Sequence, residues 1–245
     1  MLNLLLVFLC VGAAFSQVTV CTNDPKDTDV IRTSFLDGHN TLRKELIGQT
    51  GLVQADGEKL PGSRNMFKIT YDCYLEGLAL TTMSGCGSKP ELAFVGQKSV
   101  NYVVIRGIDP KKPPKTEADY VPYIKQAVAD WANYMYDDNL DIKTVIYKES
   151  AMEPFANMIY NKTIAVGCSP QYCADKRRVV VSCVYNAKPE LSKPLYEPSK
   201  ATDGCTSAGK RCEKFVKGSK CIASSDNDGK FEGLCRTDLK EISKP

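Results

Sequence analysis

Phe35-Leu36-Asp37-Gly38-His39-Asn40-Thr41-Leu42-Arg43 is the stretch from which the rest of the chain is read. Over about residues 28–47, Ile31, Phe35, His39, Leu42 and Leu46 recur at steps of three and four. That spacing predicts one helix with one apolar stripe. Asp27 or Thr28 can cap its start, and Gly48 stops it. His39 falls on the apolar stripe and is the only histidine among the 245 residues. Histidine exchanges a proton most readily near neutral pH and is the commonest zinc ligand. A single copy on a core stripe leaves little room for histidine-based chemistry.

Outward from that helix, Tyr71–Met83 predicts a second, with Leu75, Leu78 and Ala79 on one side. Cys73 near its start and Cys86 past its end offer a staple at each end. Glu117–Tyr136 predicts a third, with Val121, Ile124, Ala127, Val128, Trp131 and Met135 in register, and Pro154–Tyr160 a short fourth. The β-branched runs Thr163–Cys168 and Arg178–Tyr185 predict strands joined as an antiparallel hairpin by Ser169–Lys176. Cys168 and Cys183 are placed to bridge it or its neighbours. The class is α+β.

Residues 1–16, MLNLLLVFLCVGAAFS, hold no charged side chain and end in small residues before Gln17. They predict a secretory signal peptide and hence a secreted, extracellular protein. No later stretch reaches the roughly 20 apolar residues of a membrane span. Of eleven cysteines, Cys10 leaves with the signal. The rest, Cys21, Cys73, Cys86, Cys168, Cys173, Cys183, Cys205, Cys212, Cys221 and Cys235, suit five disulfides in a secreted chain. Asn161-Lys162-Thr163 is an N-glycosylation sequon. A net charge of +3 with interspersed signs argues against nucleic acid as a partner. Prolines punctuate the chain from residue 188. After them come four cysteines among Gly, Ser, Lys and Asp, a segment too poor in apolar residues to build its own core. The expected division is a signal at 1–16, a main domain at 17–190 and a cysteine-rich, hinge-like tail at 191–245.

The ordered set of segments resembles the CAP superfamily (cysteine-rich secretory, antigen 5 and pathogenesis-related-1 proteins). Within it, the chain looks most like the activation-associated secreted, or venom allergen-like, proteins of parasitic nematodes. The resemblance is carried by residues 35–43, by Ile69-Thr70-Tyr71-Asp72-Cys73-Tyr74-Leu75-Glu76, by Gly96-Gln97 and by Val128-Ala129-Asp130-Trp131. Residues 156–168 and Val179–Tyr185 continue it in the same order. It implies a three-layer α-β-α sandwich with a small cystine-rich C-terminal extension, and His39, Asn40, Arg43 and Trp131 as structural signature residues, His39 hydrogen-bonding across the interior while Arg43 or Asn40 ties the first helix to neighbouring backbone.

The family often holds a divalent cation in a cleft of two His and two Glu. By the resemblance those positions fall at Pro90, Gln97, Tyr134 and Pro154. Proline offers no side-chain donor atom, glutamine no charge, and tyrosine must ionise from a pKa near about 10. No metal or other cofactor is therefore expected. Enzyme chemistry is also unexpected. Serine or cysteine nucleophiles need a base within reach, the cysteines are committed to disulfides, and no two acids are paired as glycoside hydrolysis needs. What the resemblance implies instead is a non-catalytic host-interaction or immunomodulatory protein, whose partner is a host protein or a cell-surface receptor such as an integrin. The alternative is a sterol or fatty-acid carrier, for which Ile31, Phe35 and Leu42 or Leu75 and Leu78 supply apolar stripes. Arg106-Gly107-Ile108 is not an Arg-Gly-Asp motif, and Lys111–Lys115 reads as a solvated connection stiffened by prolines.

Overall fold

The structure is a computed structural model describing residues 21, 29–148, 150–207 and 211–237. The expected signal at 1–16 and the candidate caps Asp27 and Thr28 lie outside the described residues. In chain order the elements are α1 (Asp29–Gly48), β1 (Gly62–Ser63), β2 (Thr70–Tyr71), α2 (Cys73–Thr82), β3 (Ser99–Arg106) and α3 (Glu117–Asn133). They continue with α4 (Glu153–Ile159), β4 (Ala165–Cys173), β5 (Arg178–Tyr185), β6 (Pro198–Ser199), β7 (Lys220–Cys221) and β8 (Cys235–Arg236).

One strand displays all three layers. Successive side chains of a strand point to opposite faces. On β5, Val179, Val181, Cys183 and Tyr185 join the core beneath α1, α3 and α4. Val180 and Val184 point the other way, into the clusters beneath α2, and Ser182 Oγ meets Thr82 Oγ1 of α2 at 2.6 Å. A strand covered on both faces reads as a continuous apolar run, which is why Arg178–Tyr185 is so rich in valine. The main sheet has the order β2-β4-β5-β3, with β2 parallel to β4 and the rest antiparallel. The fold is α+β, a three-layer α-β-α sandwich with a small cystine-rich extension.

Two boundaries and one strand show where the structure departs from the sequence reading. Helix α2 starts at Cys73, not Tyr71, because the Asp72 carboxylate accepts the backbone N–H groups of Tyr74 (2.8 Å) and Leu75 (3.1 Å) and so caps it. Strand β4 runs on to Cys173 through Pro170. Its β2 neighbour covers only Ala165 and Val166, so at Pro170 one edge is open and the missing N–H costs no ladder bond. Strand β3 was not anticipated. Asn101, a residue strands disfavour, interrupts its β-branched run, yet it pairs with β5 over eight residues.

Gly167 of β4 lets the first turn of α2 sit directly on the sheet. A Cβ there would lie 2.0 Å from the backbone N of Glu76 and 2.6 Å from the Asp72 carbonyl. The disulfides are Cys21–Cys73 and Cys86–Cys173 at the two ends of α2, Cys168–Cys183 across directly opposed positions of β4 and β5, and Cys205–Cys221 and Cys212–Cys235 in the tail. The tail is pinned down. β6 pairs with β1, Cys235 exchanges backbone hydrogen bonds with Met66 and Lys68, and Ile222, Phe231 and Leu234 enter the main core.

Candidate functional site

Little more than one turn of α1 carries its polar signature inward. His39, Asn40 and Arg43 are each fully buried. Such groups are stable only when their donors and acceptors are matched, and here each has found partners. His39 Nδ1 lies 2.8 Å from the Phe35 carbonyl and Nε2 lies 2.8 Å from Tyr185 Oη. A carbonyl only accepts, so Nδ1 carries the proton and Nε2 accepts from the tyrosine. Tyr185 Oη in turn accepts from Asn101 Nδ2 (2.9 Å), and Asn101 Oδ1 accepts from Asn157 Nδ2 (2.8 Å). Asn101 also donates to the Pro154 carbonyl at 2.9 Å. Four elements, α1, β5, β3 and α4, are thus tied by one directional chain of hydrogen bonds. Trp131 of α3 is fully buried too, its ring 6.4 Å from that of His39.

Burial, opposed by the Phe35 carbonyl and aided by the nearby Arg43 charge, lowers the His39 pKa to about 4. The ring is neutral at physiological pH. Burial pushes the Tyr185 hydroxyl well above the ordinary tyrosine value, against Arg43 and Asn101. Both groups are fully buried.

Asn40 and Arg43 tie α1 to backbone. Asn40 donates to the Ile69 carbonyl (3.0 Å) and accepts the Ile69 N–H (2.7 Å). Arg43 donates to four carbonyls, those of Phe67, Met158 and Thr163 at 2.7 Å and of Tyr160 at 3.0 Å. Burial lowers its guanidinium to about 9, still charged at neutral pH. At the other end of α1, Arg32 grips Glu76 of α2 through two bonds of 2.8 Å, and Tyr71 Oη donates to the same carboxylate at 2.5 Å.

The four cleft positions of the sequence reading are placed otherwise. Gln97 is exposed, Tyr134 is partly exposed at the end of α3, and Pro90 and Pro154 are half-buried. Pro154 opens α4, which packs against β3 and the turn of Tyr134. Two prolines, an amide and a phenol are not a donor set for a divalent cation. Among the described residues the one cluster of three possible ligands is Cys205, Cys212 and Cys235, and all three sulfurs are in disulfides.

The outer surface has two features that periodicity did not single out. On α2, Tyr74 and Leu80 are 68% and 51% exposed, and Leu92 and Phe94 beyond it are 55% and 72% exposed. The Glu91 N–H bonded to the Thr82 carbonyl (2.9 Å) ties this turn to α2, and Lys98 Nζ lies 5.9 Å from the Tyr74 ring centre. The second feature is a groove of about 630 Å³ between α1 and α3, lined by Val30, Leu42, Val121, Val128 and Ala132, with Asp37, Glu45 and Lys125 among its polar groups. Ile31, Phe35, Leu75 and Leu78, four of the five candidate lipid-contacting residues, point into the core instead.

Comparison with known proteins adds three findings. The family model for "CAP: Cysteine-rich secretory protein family" matches residues 36–185. The Ancylostoma secreted protein of Ancylostoma caninum is 27% identical over 214 residues, 85% of this chain and 43% of that protein, so the chain spans under half the length of that relative. Among solved structures, Na-ASP-1 is similar with a TM-score of 0.67 at 24% identity, covering 88% of this chain and 48% of that one. NaASP2, solved with Zn2+, has a TM-score of 0.65 at 20% identity, covering 87% and 98%.

Proposed function

Because the chain belongs to the cysteine-rich secretory protein (CAP) family, we propose that it is a secreted, non-catalytic binding protein that engages a host protein through its outer surface. An integrin-type cell-surface receptor is the leading partner. The observation that carries this reading is the fate of the polar residues. The lone histidine is sealed inside and neutral, and the positions that the family resemblance assigns to the cation cleft would be Pro90, Gln97, Tyr134 and Pro154. What remains for recognition is the exterior, and clustered exposed large apolar side chains mark interaction surfaces. Leu92 and Phe94, 55% and 72% exposed in the one turn that the Glu91 N–H ties to α2, are the candidates, while no helix among the described residues is long and apolar enough to cross a membrane. The test is surface-plasmon resonance against a purified integrin inserted domain. Saturable binding that falls at least tenfold in a Leu92→Ser, Phe94→Ser double variant supports the reading; no binding at micromolar protein refutes the integrin version.

The groove between α1 and α3 favours a second reading, a fatty-acid or sterol carrier. Its volume falls within the ~300–1,000 Å³ range of small-molecule sites. At its floor the helices meet so closely that a Cβ on Gly38 would lie 2.9 Å from Val128 Cγ1. Uptake of labelled palmitate or cholesterol, abolished by Val121→Glu on the groove wall, supports it. No uptake and no lipid in solvent extracts of the purified protein refute it.

A further inference from the structure

The turn after α4 places Asn161-Lys162-Thr163 at the edge of a separate groove of about 510 Å³. Asn161 lines it from the main domain and Phe215 lines it from the tail. The Asn161 N–H is held by the Leu195 carbonyl at 2.9 Å, and the Thr163 N–H closes the turn onto the Tyr160 carbonyl at 3.0 Å. The backbone of the sequon is therefore fixed, while the Asn161 side chain is half-buried and makes no hydrogen bond among the described residues. Phe215 is 51% exposed. It follows the turn Cys212–Lys214, which the Cys212–Cys235 disulfide anchors. On the rim Lys162 pairs with Glu190 at 3.6 Å.

We infer that this groove seats the inner sugars of an N-linked glycan on Asn161, with a sugar face stacked on Phe215. The inference rests on the reading of the chain as secreted. In the secretory lumen the Asn161 amide nitrogen bonds to C1 of a lipid-linked oligosaccharide, loses one proton and displaces the lipid pyrophosphate, the modification that Asn-x-Thr directs. The face of an aromatic ring carries negative charge and suits the positively polarised C–H face of a sugar, while the charged rim suits its hydroxyl and acetamido groups. The groove lies within the ~300–1,000 Å³ range of small-ligand sites. It is shallow enough that a freely diffusing sugar would be held weakly, but a covalent tether supplies an effective concentration on the order of millimolar. The glycan then clasps the tail to the main domain.

The test uses the full chain expressed in insect cells, with mass spectrometry of Asn161 and thermal unfolding of wild type, Asn161→Gln, Phe215→Ala and the double variant. Asn161 is expected to be occupied. Losing the glycan should lower Tm by about 2–4 °C in the wild-type background, the shift expected from one stacking contact in a chain this long. In the Phe215→Ala background the shift should shrink below about 1 °C. Amidase removal of the glycan from folded wild type should reproduce the wild-type loss without any substitution. An unmodified Asn161, or a glycan effect of equal size with and without Phe215, overturns the inference. An unmodified chain recovered from the medium leaves the secretion reading standing, which separates the two failures.

Discussion

Helices α1 and α2 cover opposite faces of one sheet and treat water in opposite ways. α1 draws a histidine, an asparagine and two arginines out of solvent and matches them to carbonyls, a tyrosine and a carboxylate. α2 buries an ordinary apolar stripe, then leaves a tyrosine and a leucine exposed beside Leu92 and Phe94. A buried polar group without its partner costs more than the bond it would have made contributes. The α1 residues therefore fix the fold and have little freedom to do anything else. The α2 face is held by no such demand, and it is where the proposed partner would act.

The largest effect should come from the most heavily bonded residue. Arg43→Met strips donors from four buried carbonyls, and at about 1 kcal/mol or more for each orphaned group the loss should exceed about 4 kcal/mol in urea unfolding. A loss under about 1 kcal/mol would break the comparison at its root. Gly167→Ala, which drives a methyl into the first turn of α2, should cost about 2–3 kcal/mol through displaced backbone.

His39 comes next and is graded by pH. Its folded pKa, about 4, lies below the ordinary histidine value of 6.5, so the unfolded chain binds the proton more readily. Its contribution is fully present above pH 6.5 and is lost as pH falls towards 4. Over that window the loss is about 3 kcal/mol. Stability measured across the window should fall in wild type and fall less in His39→Gln. Equal slopes would show that acid acts elsewhere. The smallest effect on stability belongs to the other side of the sheet, where the Leu92→Ser, Phe94→Ser pair should stay within about 0.5 kcal/mol of wild type. A larger loss would make that face part of the core.

Much of this was legible in the sequence, and the limits have physical causes. Helix α1 and the inward role of His39 followed from spacing alone, because a 3.6-residue period fixes which side chains share a face. The assignment of Asn40 and Arg43 to backbone came from family resemblance and fits the bonds they make. The partners of His39 did not follow. Tyr185, Asn101 and Asn157 lie 146, 62 and 118 residues away in the chain, and no local pattern records which distant hydroxyl or amide will meet a ring. β3 was missed for the same reason, since its Asn101 looks out of place in a strand until the relay it serves is seen. The tail's poverty in apolar residues indicates that it builds no core of its own, and the few it has, Ile222, Phe231 and Leu234, join the main core instead.

The central claim is that the one histidine is structural and that recognition has moved to the surface. Nitrogen NMR of the imidazole tests it most directly, because a single histidine gives a single, unambiguous signal. The ring should be the neutral Nδ1–H tautomer, with shifts that stay constant from about pH 8 to about pH 5.5 and on addition of equimolar zinc. A titration midpoint near 6.5, or a shift on adding zinc, would contradict the account.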